Sequence, residues 1–406
     1  MRQGISLALA ILLAACGKER PGEPVATSDS SGVHIVTSRA AAWTAATEWK
    51  VGGKPTLQIG GGVTDTSALV GPVVGAFRAA DGRVVVADQG THSLRWFSAD
   101  GKLLHVSGGE GEGPGEFRYI HKLLEIGDSI GVYDAMQQRL SIFDANGTFA
   151  RMLTIAGGDE LPLGLEPIGR LSTGQWIAKA STTYSMGTPS GPARDSVWIW
   201  SLKPDGTAGT KIAAMLGSDA LIASSNQFLQ VMPAPFGRTT TIRVHDGMLW
   251  VGTADSYRID GLDLQGRVIT SVRLDQRPAI LEPERGKGAV DSLRKGTRTG
   301  PMAEMIGRAY DEALEKLALP EFEPPYSTFR IADDSTLWVE HFVTREHTGA
   351  TKWDVFLPDG HWQGTITLPP GFTPTQISHA EILGIWKDPD GVDHVVAYPL
   401  ERGMTS

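Results

Sequence analysis

Short apolar runs separated by turn residues recur along most of the chain. Two stretches align directly, DGRVVVADQGTHSLRWFSADGKLL from Asp81 and GDSIGVYDAMQQRLSIFDANGTFA from Gly127. In each, one apolar strand ends at an aspartate and a second ends at a phenylalanine. An Asp-Gly or Asn-Gly hairpin turn then leads into a third strand. The pattern predicts repeated antiparallel units of short strands.

The two aspartates that end the first strands, Asp88 and Asp134, lie 46 residues apart. The same strand shape returns without the aspartate and ends at Ala180, Thr253, Glu340 and near Lys387. Six units of about four strands each cannot bury both faces alone, and radial stacking closes such units into a ring. The sequence therefore predicts an all-β fold, a six-bladed β-propeller.

Two intervals between copies are longer than the others because they contain insertions. TTYSMGTPSGPARD, residues 182–195, is predicted to be a turn-rich loop. Residues 282–320 contain a helical pattern that follows Pro301, a residue suited to a first helical position. Its apolar face comprises Met302, Met305, Ile306, Ala309, Ala313, Leu314 and Leu317. We expect a helical insertion between blades four and five.

The last unit lacks an outer strand, since the chain ends soon after DHVVAYPLER. The segment PTLQIGGG, Pro55 to Gly62, resembles the outer strand LLHVSGG of the first unit. We expect this N-terminal strand to complete blade six, so that residues 33–406 form a propeller closed by both chain ends.

VADQGTHSLRWFSADGKLL resembles an NHL-type propeller repeat. The whole chain resembles the bacterial six-bladed β-propeller lipoproteins, in which a GxGPGEF element recurs between blades. The match covers roughly Leu57 to Ala150 and weakens toward the C-terminus. The resemblance implies the fold but no particular activity, because propellers host hydrolases, lyases, binding modules and scaffolds.

The N-terminal residues 1–15 have the anatomy of a signal peptide, with Arg2 followed by an apolar run and small residues. LAAC, Leu13 to Cys16, resembles the bacterial lipobox, and the resemblance implies that Cys16 is lipidated and becomes the first mature residue. We expect residues 16–32 to form a lipidated, flexible tether. The protein would then be exported and anchored to a membrane, on the periplasmic side in a cell with two membranes.

Composition narrows the possible chemistry. The formal net charge of −9 argues against nucleic-acid binding, and the single cysteine excludes an intramolecular disulfide. The sequence contains no P-loop, G-x-S-x-G, H-E-x-x-H or EF-hand pattern, so no cofactor and no metal site is predicted. DPDGVD, Asp388 to Asp393, has carboxylate spacing like that of a calcium site but is better explained as a hairpin turn.

The glycine-rich stretch GGEGEGPGEF, Gly108 to Phe117, follows an outer strand and precedes an inner one. It is interpreted as the crossing between blades one and two, where glycine permits sharp turns. GGG at Gly60 and GGDELP at Gly157 occupy equivalent junctions. Turn geometry gives no reason for the three glutamates, Glu110, Glu112 and Glu116.

Equivalent positions of a propeller lie on a ring around its axis. Counting back ten residues from the ends of the first five copies reaches one leucine, Leu124, and four arginines, Arg78, Arg170, Arg243 and Arg330. Four guanidinium groups near one mouth of the channel could capture a carboxylate or an acidic partner. The alternative, which we favour, is that each arginine pairs with an acidic residue such as Asp81 or Asp333.

Other candidate residues have structural explanations. Asp88 and Asp134 precede turns, where aspartates commonly accept backbone amide hydrogen bonds. The second strands carry Trp176, Trp250, Trp338 and Trp386, which are expected to pack between blades.

The predicted function is a non-catalytic binding or scaffold module for an envelope protein or membrane complex. The alternatives are a lactonase- or lyase-like enzyme with its site at the channel mouth, or a module that binds a small sugar or peptide there.

Overall fold

The computed structural model describes residues 23–60, 71–127, 129–157, 164–296 and 303–403. The signal peptide, Cys16, Pro301 and Met302 lie outside these ranges, as do most of the glycine-rich junctions after Gly60 and Gly157.

The described part of the chain forms six sheets, antiparallel except for one strand pair in blade four, and they are arranged as the blades of a propeller. Four strands precede blade one: β1 (Val25–Ser30), β2 (Val33–Ser38), β3 (Lys50–Val51) and β4 (Leu57–Ile59). Blades one and two comprise β5 (Val73–Arg78), β6 (Val84–Asp88), β7 (Ser93–Phe97), β8 (Leu103–Gly108), β9 (Ile120–Ile126), β10 (Ser129–Asp134), β11 (Arg139–Phe143) and β12 (Phe149–Thr154). Blades three and four comprise β13 (Glu166–Arg170), β14 (Trp176–Ser181), β15 (Gly191–Leu202), β16 (Ala208–Ser225), β17 (Phe228–Pro233), β18 (Thr241–His245), β19 (Met248–Gly252), β20 (Arg258–Leu262) and β21 (Val268–Leu274).

Two helices separate blades four and five, and two more blades follow. The helices are α1 (Pro283–Gly296) and α2 (Ala303–Glu315). Blades five and six comprise β22 (Thr328–Ile331), β23 (Leu337–Glu340), β24 (Thr351–Phe356), β25 (Trp362–Leu368), β26 (Phe372–Ile377), β27 (Glu381–Lys387) and β28 (Asp393–Glu401).

Blade six is completed by residues from the other end of the chain. β4 pairs antiparallel with β28, placing Leu57 opposite Ala397 and Ile59 opposite Val395. Leu57 and Ile59 are buried in the core between blades six and one. The ring is therefore closed by a strand from each terminus.

The blades are held together by six hydrophobic clusters, one at each junction between neighbouring blades. Trp176 packs between blades two and three, and Trp338 packs between blades five and six. Trp250 and Trp386 also lie against inter-blade clusters, although they are less deeply buried. The four tryptophans are packing residues, as the sequence pattern predicted.

The tether prediction is wrong for its second half. Residues 16–22 lie outside the described ranges, but Val25–Ser30 and Val33–Ser38 form a hairpin rather than a flexible segment. β2 pairs in parallel with β21, so the hairpin extends blade four to six strands. The turn between its strands uses positive φ angles at Ser31 and Gly32.

Blade three also departs from the four-strand pattern. The predicted loop 182–195 ends earlier than expected, because β15 begins at Gly191. β16 runs for 18 residues and pairs with an additional strand, β17. The apolar face of α2 packs on these strands through Ala309, Ala313 and Leu314, which confirms the predicted face within the described residues.

Candidate functional site

The central channel is lined by the first strand of each blade, namely β5, β9, β13, β18, β22 and β26. Each of these strands is the inner edge of its sheet. Because all inner strands of a propeller run in the same direction, the channel has one mouth where these strands begin and another where they end. The arginines singled out in the sequence all lie on inner strands.

Arg78 is the last residue of β5, and its positive charge is neutralised by a carboxylate of blade six. Its Nε donates to Oε1 of Glu381 at 2.5 Å, and its Nη2 donates to Oε2 of the same residue at 3.2 Å. Its Nη1 donates to the carbonyl of Gly82. The favoured alternative therefore holds for Arg78, with Glu381 as the partner; Asp81 instead accepts a hydrogen bond from Arg83.

Arg170 ends β13 and is exposed at the rim of the channel. Its Nε donates to the carbonyl of Gly174 at 2.9 Å, and its guanidinium lies 5.8 Å from the centre of the Trp176 ring. No ion pair to Arg170 occurs within the described ranges. The side chain is held by a turn and an aromatic ring.

Arg243 and Arg330 are half-buried and lie deeper in the channel. Arg243 Nη1 donates to the carbonyl of Ile242 at 3.1 Å, and Arg330 Nη1 donates to that of Thr375 at 3.4 Å. Nε of Arg330 is buried and has no hydrogen-bond partner. Among the residues that the structure describes, neither guanidinium forms an ion pair. The favoured alternative, pairing with an acidic residue such as Asp333, is therefore wrong for both arginines.

Burial lowers the pKa of both guanidinium groups, and the charge of Arg243 adds to the effect at Arg330. Burial and the positive charge of Arg243 lower the pKa of Arg330 to about 9, against the attraction of Glu340. Burial also lowers the pKa of Arg243, against the attraction of Glu166. A cation that is desolvated and repelled in this way is stabilised by an incoming anion.

The predicted ring of four arginines at one mouth is wrong because the hairpins differ in length. Arg78 and Arg170 pair with Val84 and Trp176, next to five-residue turns. Arg330 also precedes a five-residue turn, but one further residue pair of the sheet separates it from that turn. Arg243 lies two pairs from a two-residue turn formed by Asp246 and Gly247, both with positive φ. Counting along the chain cannot detect these offsets.

Sequence reasoning missed a cluster of charges on the neighbouring inner strands. Glu166 of β13 accepts a hydrogen bond from Lys122 of β9, and its carboxylate lies 3.1 Å from Nζ of Lys179. Burial would raise the pKa of Glu166, but the imidazole of His121, whose Nε2 lies 3.8 Å from the carboxylate, and the charges of both lysines outweigh it, and the pKa is strongly lowered. One carboxylate is therefore shared by two lysines, and this part of the channel carries a net positive charge.

Glu340 ends β23 and stands opposite Thr328 in the sheet. Burial raises the pKa of the half-buried Glu340 carboxyl to about 7, although Arg330 opposes the shift. Near neutral pH the carboxyl is thus only partly ionised and only partly offsets the charge of Arg330.

A cavity of ≈ 1160 Å³ lies over blades five and six, at the end of the propeller where the inner strands begin. Its floor includes Thr328 and Glu340, and its walls come from blade six, α1 and the segments 232–239 and 342–349. Thr241 and Thr328 meet at the floor, with 3.1 Å between their hydroxyl oxygens. Arg243 and Arg330 lie two residues farther along the same strands, on the same faces.

The glycine-rich crossing is structural, and two of its glutamates now have contacts. The carboxylate of Glu116 accepts a hydrogen bond from the amide of Gly113 at 2.8 Å, and Glu112 pairs with Arg118. The first residue of β11, Arg139, donates to three carbonyls of the crossing, those of Glu112, Gly113 and Glu116.

The aspartates at strand ends also serve turns. Oδ2 of buried Asp134 accepts the amide of Arg118 at 2.7 Å, and its Oδ1 accepts the amide of Gln137 at 2.9 Å. Oδ1 of Asp88 accepts the amide of Gly90 at 3.0 Å. Asp388 accepts the amides of Asp390 and Val392, so DPDGVD is a hairpin turn.

Within the described ranges, no three side chains of His, Cys, Asp and Glu come together as a metal site would require. The same part of the chain contains no helix long and apolar enough to cross a bilayer.

Comparison with known proteins supports the fold. Residues 63–156 match the model of the 6-bladed beta-propeller family DUF5128. No curated protein sequence is significantly similar to the chain.

Solved structures of the same architecture are distant in sequence. A protein from Bacteroides fragilis assigned as exported is 11% identical, with a TM-score of 0.50, over 91% of this chain and 100% of its own. A DUF4221 family member from Bacteroides vulgatus is 9% identical, with a TM-score of 0.47, over 88% and 99% of the two chains. A virginiamycin B lyase from Staphylococcus aureus is 11% identical, with a TM-score of 0.41, over 87% and 99%. At 11% identity the likeness to the Bacteroides fragilis protein shows the fold alone.

Proposed function

We propose that this protein is an exported, lipid-anchored binding module whose propeller channel captures a carboxylate of an envelope partner or ligand. The observation that carries the proposal is the pair Arg243 and Arg330, which have no ion-pair partner in the described part of the chain. Half-buried arginines usually have acidic partners. A carboxylate bound between these two would fill that role with charge-assisted hydrogen bonds.

The surrounding charges favour an anion at the same depth. Lys122 and Lys179 share Glu166, and Glu340, which attracts Arg330, is only partly ionised near neutral pH. The mouth where the inner strands end is different in character. There Glu125 has its pKa raised to about 7, by burial and by the charge of Asp333. The neighbouring carboxyls of Glu125 and Asp333 make that mouth the less favourable one for an anion.

Calorimetric titration of the full chain with benzoate at pH 6.5 tests carboxylate capture. We expect saturable binding at one site. The double variant Arg243→Gln/Arg330→Gln should lose this binding, because both substitutions remove a positive charge but keep a polar side chain. Arg170→Gln is the matched control and should bind benzoate as the wild type does. Equal binding by the wild type and the double variant would overturn the proposal.

The anchor is proposed from the lipobox resemblance at Cys16. Metabolic labelling with an alkyne fatty acid should mark the wild-type protein but not Cys16→Ser, and only the wild type should fractionate with membranes. Equal labelling of both proteins would remove lipidation at Cys16 from the proposal.

A further inference from the structure

The cavity above the channel arginines is built largely by elements that a plain propeller lacks. β17 supplies Met232, α1 supplies Ala289 and Leu293, and the segment after β23 supplies Phe342 and Val343. Helix α1, through Leu293, and the extra strand, through Met232, also pack on α2 and β16 beside the cavity. These additions thus form apolar walls next to a positively charged channel.

Phe236 lies in the cavity wall in an unusual backbone conformation. Its φ is 53°, in the left-handed region that residues with bulky side chains rarely adopt. The residue is only 4% exposed. Its ring lies 5.8 Å from that of Phe342, and the guanidinium of Arg285 in α1 is 5.5 Å from its centre. Strain of this kind persists where the surroundings impose it, often at binding sites.

The cavity floor and the arginines are linked through strand β22. Thr328 lines the cavity, and Arg330 follows it by two residues on the same face of β22, which corresponds to about 7 Å along the strand. A ligand whose carboxylate reaches Arg330 and Arg243 would therefore leave the rest of its body in the cavity.

The cavity also has many polar groups on its walls. Hydroxyl side chains line it at Thr239, Ser327, Thr328, Thr344, Thr351 and Thr373. Hydroxyl groups can form hydrogen bonds with the amides of a ligand. A ligand with an aliphatic chain would leave these hydroxyl groups unused. A peptide would use both the apolar walls and the hydroxyl groups.

We propose that the ligand is a short peptide that ends in an apolar residue with a free C-terminal carboxylate. The carboxylate binds Arg330 and Arg243, and the terminal side chain packs against Phe236, Phe342 and Leu293. This inference rests on the proposed function, since it assigns the ligand class of the same channel.

The test uses N-acetylated tripeptides Ala-Ala-X, with X as Leu, Phe, Met or Val, in free-acid and amide forms. Titration calorimetry compares them with benzoate and dodecanoate on the wild-type full chain. We expect at least one free acid to bind tenfold or more tightly than benzoate, and its amide to lose at least tenfold in affinity. Arg330→Gln should abolish this preference for the acid.

Two helix variants separate the cavity from the channel. Ala289→Trp fills the cavity and should weaken the peptide at least tenfold while leaving benzoate binding unchanged. Ser292→Trp, at an exposed position of the same helix, should change neither.

The outcomes distinguish this inference from the proposed function. If benzoate binds but every peptide acid is no tighter than benzoate, or dodecanoate exceeds every peptide, the peptide assignment is overturned. If benzoate itself does not bind, the carboxylate channel and the peptide assignment both fail.

Discussion

At the scale of single residues, Glu340 would make the proposed anion capture depend on pH. Its carboxyl lies near Arg330, and burial raises its pKa to about 7. Below pH 7 the carboxyl is mainly neutral and would leave Arg330 free for a ligand; above pH 7 it is mainly ionised and would repel one.

We therefore expect the affinity for benzoate, which stays ionised throughout, to fall between pH 6 and pH 8 by on the order of 3- to 10-fold. Titration calorimetry across this range measures it. Glu340→Gln should flatten the dependence, and a wild-type affinity that rises with pH would contradict this role.

Arg78 and Arg170 lie at equivalent strand ends but differ in their partners. Arg78→Ala leaves Glu381 without its guanidinium, and we expect a loss of about 2 kcal/mol in the free energy of unfolding. Arg170→Ala should cost less than about 0.5 kcal/mol, because the side chain is exposed and only contacts a turn and a ring. Urea denaturation of both variants measures the difference, and similar losses would refute the distinction.

The sequence was sufficient to identify all four arginines as inner-strand residues, but not to separate them. Counting residues from one repeat to the next assumes that all hairpin turns have the same length. The hairpin that contains Arg243 has a two-residue turn, which shifts the position of Arg243 along its strand. The acceptor Glu381 lies 303 residues from Arg78, so no local pattern indicates their pairing. Lys122 lies two residues before Leu124, the leucine that the counting reached. Alternate residues of a strand share a face, and this alternation was the one signal that could have revealed Lys122.

At the scale of elements, the glycine-rich crossing between blades one and two depends on Arg139. This residue is 8% exposed and donates to three carbonyls of the crossing. Arg139→Ala leaves these acceptors without their donors, and we expect a loss of about 2–3 kcal/mol in the free energy of unfolding.

The matched control is Arg118→Ala, which removes only an exposed pair with Glu112 and should cost less than about 1 kcal/mol. Urea denaturation compares the two variants. Equal losses would show that Arg139 does not hold the crossing.

The elements that the sequence failed to predict are those without a repeat to support them. The β1–β2 hairpin lies in a polar segment typical of a tether, and its pairing with β21 joins residues more than 200 positions apart. β17 is an additional strand in a blade whose repeat predicted four. Helix α2 was predictable because its apolar face keeps helical spacing and packs on one surface.

At the scale of the whole molecule, ring closure depends on β4. Removing residues 1–60 deletes Leu57 and Ile59 from the core between blades six and one, deletes Trp49 from the cluster between blades five and six, and exposes the edge of β28. We expect this truncated chain to lose its cooperative thermal transition or to aggregate.

Removing residues 1–38 deletes only the hairpin on the outer edge of blade four and is the matched control. It should retain one cooperative transition, which circular dichroism during heating would record. If the chain without residues 1–60 melts like the control, the ring is not closed by β4.

The central claim is that Arg243 and Arg330 bind a carboxylate inside the propeller channel. Crystals grown with 4-bromobenzoate test it most directly, because anomalous scattering locates the bromine atom. We predict one bromine site at the cavity floor, with the carboxylate within hydrogen-bond distance of Arg330 or Arg243, and no such site in Arg243→Gln/Arg330→Gln. Bromine sites found only outside the channel, or a channel site kept by the double variant, would contradict the claim.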